Sequence, residues 1–163
     1  MKKIEMDKLK ILQAVRKELE SKYEIAKAAV QEAYKSATHE ENVAENKYDT
    51  KGLEASYLVQ GQARRLEELE IALSAYRAME EPLEDKNNIH LGSLIKVEEE
   101  GVEQYLFMGP QSGGLKVEFD NLEVLIVTFF SPIGRALKGK TAGDSIEVQI
   151  GRKIRNYKIV ELY

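Results

Sequence analysis

Thr38-His39-Glu40-Glu41-Asn42-Val43-Ala44-Glu45-Asn46-Lys47-Tyr48-Asp49-Thr50-Lys51-Gly52 is an acidic, weakly apolar interval between two long segments of helical periodicity. Ahead of it, Leu12, Val15, Leu19, Ala26 and Ala33, with the offset set Tyr23, Val30 and Ala37, recur at spacings of three, four and seven. Behind it, Ala55, Val59, Gln62, Leu66, Leu69, Leu73 and Tyr76 do the same. Two such stripes joined by a short connection predict an antiparallel helical hairpin with coiled-coil packing over residues 1–81, its acidic tip near 38–52. A helix of roughly thirty residues reaches about 45 Å, so the hairpin is expected to act as a probe that delivers its tip.

Asp7 is placed to cap the first helix, which the periodicity carries to about Ala37. The turn chemistry of Asp49-Thr50-Lys51-Gly52 puts the reversal there, or else nearer Glu41 if Ala44 to Asn46 are still helical. From Leu53 a second helix is predicted to about Glu81, where Pro82 stops it. Gly61 inside that helix costs up to about 1 kcal/mol relative to alanine, and a close approach of the two helices would explain it.

Residues 82–90 have the composition of a linker, with Asp85, Lys86, Asn87 and Asn88. Beyond it the period shortens. Leu91–Val97, Glu103–Met108, Leu115–Phe119, Leu122–Thr128, Ser145–Ile150 and Ile154–Val160 are apolar or alternating runs separated by glycines, as in an antiparallel sheet. Between the fourth and fifth, Ser131-Pro132-Ile133-Gly134-Arg135-Ala136-Leu137-Lys138-Gly139 has the parts of one short helix: a serine cap, a proline at the first position and a glycine to end it. The expected class is therefore α+β, a helical hairpin followed over residues 91–163 by a small β domain with one short helix.

The 163 residues are 43% hydrophobic and 32% charged, enough for one or two small domains and too little for a large single core. A formal net charge of −4 gives no general reason to bind duplex nucleic acid. Without cysteine there is no thiolate nucleophile and no cysteine-based zinc site. No apolar run approaches a membrane span and no signal-peptide core follows Met1, so a soluble, cytoplasmic protein with no membrane partner is expected. Charge divides the second domain: residues 82–130 carry three basic and nine acidic side chains, residues 131–163 seven basic and three acidic. The cationic end is a candidate docking surface for an acidic partner.

The run Ser131-Pro132-Ile133-Gly134-Arg135-Ala136-Leu137, followed by Gly139-Lys140 and Gly143-Asp144 and two strands, resembles the signature of the bacterial Gre transcript-cleavage and elongation factors. It sits where that family has it, behind a coiled-coil hairpin with an acidic tip. The resemblance implies an FKBP-like second domain that docks on core RNA polymerase, with Ser131, Pro132, Ile133, Arg135, Lys138 and Lys140 as the contact residues. It implies a monomer whose hairpin enters the secondary channel and acts on the RNA 3′ end of a backtracked complex. Glu41, Asn42, Glu45 and Asn46 would assist the polymerase active site. Glu41 and Glu45 would share its Mg²⁺, a hard cation suited to carboxylate oxygens, while the factor alone would bind no cofactor and cleave nothing.

The family pattern at the tip is acid-x-x-Glu-Asn, whereas this chain has Asn42-Val43-Ala44-Glu45-Asn46. An asparagine oxygen can touch a metal but brings neither charge nor basicity. Glu41 could substitute for the missing acid, since it lies four residues before Glu45 and the two would share a helix face. A non-cleaving regulator that occupies the same channel is the alternative. A peptidyl-prolyl isomerase is a remote third reading, suggested by the FKBP-like fold and needing a deep aromatic pocket from rings such as Tyr105, Phe107, Phe119 and Tyr157.

Overall fold

A computed structural model describes residues 7–39, 50–80 and 85–163. The elements are helices α1 (Lys8–Thr38) and α2 (Lys51–Ala78), strands β1 (Leu94–Glu99), β2 (Val102–Met108), β3 (Lys116–Phe119) and β4 (Leu122–Val127), helix α3 (Pro132–Leu137), and strands β5 (Ser145–Ile150) and β6 (Lys153–Leu162). Two compact units result. One comprises Lys17–Ser74, and the other Met1–Arg16 with Ala75–Tyr163.

In the helical unit the stripes predicted from the heptads are those withdrawn from solvent. Leu19, Ala26 and Ala33 are buried on α1, with Tyr23, Val30 and Ala37 half-buried; Ala55, Val59, Gln62, Leu66 and Leu69 are half-buried on α2 and Leu73 is buried. The two helices are the only described elements of this unit, so the stripes cover one another. Gly61 is a correction. It is exposed, and a side chain there would meet nothing within 4 Å, so close helix approach does not account for it.

The helix ends also shift from expectation. At the start of α1, Asp7 accepts from the amides of Leu9 and Lys10 at 3.0 and 3.2 Å, as a cap should. Lys51 and Gly52, expected in a turn, lie in the first turn of α2, where Glu54 N–H already donates to the Thr50 carbonyl. The other end of α2 comes at Ala78, ahead of Pro82, because a cation caps it. Arg16 donates twice to the Tyr76 carbonyl, at 2.9 and 2.7 Å, and once to that of Met79 at 3.1 Å. Carbonyls left over at a helix C-terminus need donors, and a guanidinium supplies them with favourable charge.

The six strands form one sheet in the order β3-β4-β2-β1-β6-β5. Four of its ladders are antiparallel as expected, but β2 and β4 run parallel, so the sheet is mixed. The reason is local. Asp120 and Asn121, both at positive φ, fold β3 back on β4 in a two-residue hairpin, and β4 rather than β3 takes the place beside β2. Ile95, Val97, Leu106, Met108, Val127, Tyr157 and Ile159 face one layer of core, closed by Leu137 and the half-buried Ile133, Ala136 and Phe129. The opposite register positions Leu94, Phe107, Val124 and Ile126 are equally buried, and the remaining elements of this unit, the roots of α1 and α2 with Ile11, Leu12, Val15 and Tyr76, cover them. Ile89 belongs to the first layer and donates its amide to the Lys140 carbonyl at 2.9 Å.

Candidate docking surface at helix α3

The six-residue helix α3 is held by its first residue. Ser131 is extended (φ −75°, ψ 155°), and its Oγ accepts from Gly134 N–H at 3.1 Å while donating to the Thr128 carbonyl at 2.8 Å. Pro132 at the first helical position has no amide to satisfy. Gly134 is required by space: a side chain there would overlap the Thr128 carbonyl. Lys138 N–H closes on the Gly134 carbonyl, and Gly139 at φ +71° releases the chain toward Lys140. Thr141 N–H then bonds Asp144 Oδ2 at 3.0 Å, which with Gly143 at φ +94° turns the backbone into β5.

This geometry divides the six residues expected at the docking surface. Pro132, Arg135, Lys138 and Lys140 are exposed. Ser131 and Ile133 are half-buried, the first committed to the cap and the second packed against the core. Phe130, which is not among those six, is 81% exposed and lies next to the cap. Its carbonyl accepts from Arg135 Nη1 at 2.9 Å, and the Lys138 ammonium stands 5.9 Å from the Phe129 ring. Phe130, Arg135, Lys138 and Lys140 thus give the stretch on and beside α3 one bare ring and three cations. The paired residues Phe129-Phe130 ahead of Ser131-Pro132 were the available signal.

Glu41, Asn42, Glu45 and Asn46 lie outside the described residues. Among the described residues no three His, Cys, Asp or Glu side chains converge as a metal site would need, and no helix is long and apolar enough to cross a membrane. Phe107, Phe119 and Tyr157, three of the rings an isomerase pocket would draw on, are buried in the core.

Residues 84–163, the whole of this mount and its sheet, match the family described as transcription elongation factor, GreA/GreB, C-terminal. The chain is 28% identical over 163 aligned residues to the transcription elongation factor GreA of Thermomicrobium roseum, covering 93% of this chain and 92% of that one. Its C-terminal domain belongs to the GreA/GreB family. A second relative of this chain, the transcription elongation factor GreA of Polaromonas naphthalenivorans, is 35% identical over 100 residues, an alignment that spans 59% of each chain. Among solved structures, the GreA factor homolog 1 of Thermus thermophilus is 22% identical and covers 91% of this chain and 94% of its own, with a TM-score of 0.37.

Proposed function

We propose that this Gre-type protein binds core RNA polymerase through the α3 face of its β domain, places its helical hairpin in the secondary channel and rescues backtracked complexes by stimulating the polymerase's own transcript cleavage. The observation that carries the reading is the family match over residues 84–163, which contains α3 and the exposed residues on and beside it, Phe130, Pro132, Arg135, Lys138 and Lys140. A cationic surface with one aromatic anchor suits an acidic partner face. At the tip, Glu41 and Glu45 would lend oxygen ligands to the polymerase Mg²⁺, which would supply Lewis acidity for the cleavage. Asn46 and Asn42 would add neutral hydrogen-bonding groups beside it.

Asn42 favours a second reading, in which the same chain occupies the channel without promoting cleavage, because the family pattern has an acid at that position. One experiment separates the two. Stalled backtracked polymerase is incubated with the wild-type chain and with Asn42→Asp, and shortening of the RNA is followed. Cleavage by the wild type supports rescue. An inactive wild type that still binds polymerase, with activity appearing in Asn42→Asp, establishes the regulator. Failure of core polymerase to retain the protein on a column defeats both.

A further inference from the structure

The sheet is not closed at the start of β6. This strand pairs with β5 from Lys153 to Lys158, but with β1 only from Lys158 onward, because β1 ends at Glu99 and turns through Glu100 and Gly101 into β2. Residues 153–157 therefore overhang, flanked by β5 on one side and, among the described residues, by no strand on the other. The direction of their backbone groups follows from Ile159. Its amide donates to the Asp144 carbonyl and its carbonyl accepts from Gly143, both on the β5 side. Backbone pairs alternate along an antiparallel strand, and the β5 register is unbroken back to Lys153, so Ile154 and Asn156 aim their N–H and C=O groups away from β5. Those groups border a depression of about 650 Å³ between the overhang and the β1–β2 turn, with Lys153, Ile154, Arg155 and Asn156 on the β6 side and Val102, Gln104 and the carboxylates of Glu99 and Glu100 on the other. Its apolar side chains, Val102 and Ile154, are 60% and 61% exposed.

The geometry points to a strand-addition site at this fork, which takes an extended acidic segment of a partner protein. The segment would lie antiparallel to β6 in the line that β1 vacates, bonding to Ile154 and Asn156 through its backbone. Side chains on neighbouring strands meet directly across the ladder, so an aliphatic residue belongs opposite Ile154 and acids opposite Lys153 and Arg155. Arg155 already leans on Glu99 at 3.5 Å, which makes Lys153 the main selector. The same charges argue against a second copy of this chain as occupant. In the self-paired register that uses both outward residues, Ile154 against Asn156, Arg155 would face Arg155 and Arg152 would face Lys158. Like charges placed directly across a ladder are unfavourable, which is how exposed strand edges avoid their own kind.

The test uses the full chain and a fluorescently labelled, end-blocked Glu-Val-Glu-Val-Glu peptide, with Lys-Val-Lys-Val-Lys as comparison. Saturable binding of the acidic peptide is expected, with slowed hydrogen exchange at the amides of Ile154 and Asn156. Ile154→Pro removes an amide that β5 does not use, so the β5–β6 ladder survives and affinity falls about tenfold or more. Lys153→Glu lowers affinity about threefold. If Ile154→Pro does not fold by circular dichroism, exchange at Asn156 and the Lys153→Glu affinity decide. No saturable binding, equal binding of the lysine peptide, unchanged exchange, or self-association that Ile154→Pro abolishes would each overturn the site.

Discussion

The Tyr76 hydroxyl, in the last turn of α2, donates to the Gln111 carbonyl at 2.8 Å and occupies the space that a side chain at Gly109 would need. This contact ties a helix root to the loop after β2, and it makes the two positions energetically dependent. Tyr76→Phe is expected to cost about 0.5–1.5 kcal/mol by leaving the Gln111 carbonyl without its donor. Gly109→Ala should cost about 1–3 kcal/mol, because the new methyl strikes the hydroxyl. Removing the hydroxyl removes the nearest obstacle and leaves the Ile126 methyl, 2.9 Å from the same point. The double variant should therefore be less destabilised than the sum of the singles, and a double-mutant cycle in urea measures the difference.

Stability should fall in alkali. Burial raises the Tyr76 phenol well above its ordinary value of 10, and burial with the hydrogen bond to Glu161 does the same for Tyr163. Lys96 is raised too, chiefly by its hydrogen bond to Glu103 at 2.7 Å. Each group holds its proton more tightly folded than unfolded, so its contribution is full below the ordinary pKa and lost as pH climbs toward the folded one. For Tyr76 the slope is at most about 1.4 kcal/mol per pH unit above pH 10. Urea midpoints measured from about pH 9 to about pH 11 should decline, and Tyr76→Phe should decline less steeply than wild type.

Gly61→Ala should stabilise the protein by up to about 1 kcal/mol, since the position is exposed and helical and a methyl meets nothing. A higher thermal midpoint for the α-helical signal of the variant than for that of the wild type checks it. A fall would mean that Gly61 has a role in the free protein that its surroundings do not reveal.

At the docking face, structure and contact should separate. Gly134→Ala forces α3 off the Thr128 carbonyl and is expected to cost about 1–3 kcal/mol and to weaken polymerase retention with it. Phe130→Ala removes an exposed ring and should leave the melting temperature within about 0.5 kcal/mol equivalent of wild type while lowering retention. Equal retention by Phe130→Ala would remove that ring from the contact surface.

The heptad stripes were legible because burial on a helix repeats at spacings the side chains must obey, and Leu19, Ala26, Ala33 and Leu73 sit where the pattern put them. The strands and the α3 cap were legible for the same reason: alternation and capping are local. What the sequence did not disclose is decided by distant partners. The end of α2 depends on Arg16, some sixty residues earlier, and the parallel β2–β4 ladder depends on which strand of a hairpin lands beside β2. Gly61 invited a packing explanation that its bare surroundings refute. At the site, Arg135 and Lys138 were visible as charges, whereas a phenylalanine reads alike in a sequence whether buried or bare, and Phe130 is bare.

Arg16 reaches across to Tyr76 and Met79, and β1 is sandwiched between β2 and β6. A ribosome would release the root of α1 long before β6 emerges, leaving Ile11, Leu12 and Val15 without their cover for most of synthesis. Folding of that body is then necessarily a late event, and a chain interrupted before Lys153 should be an early target for chaperones and proteases.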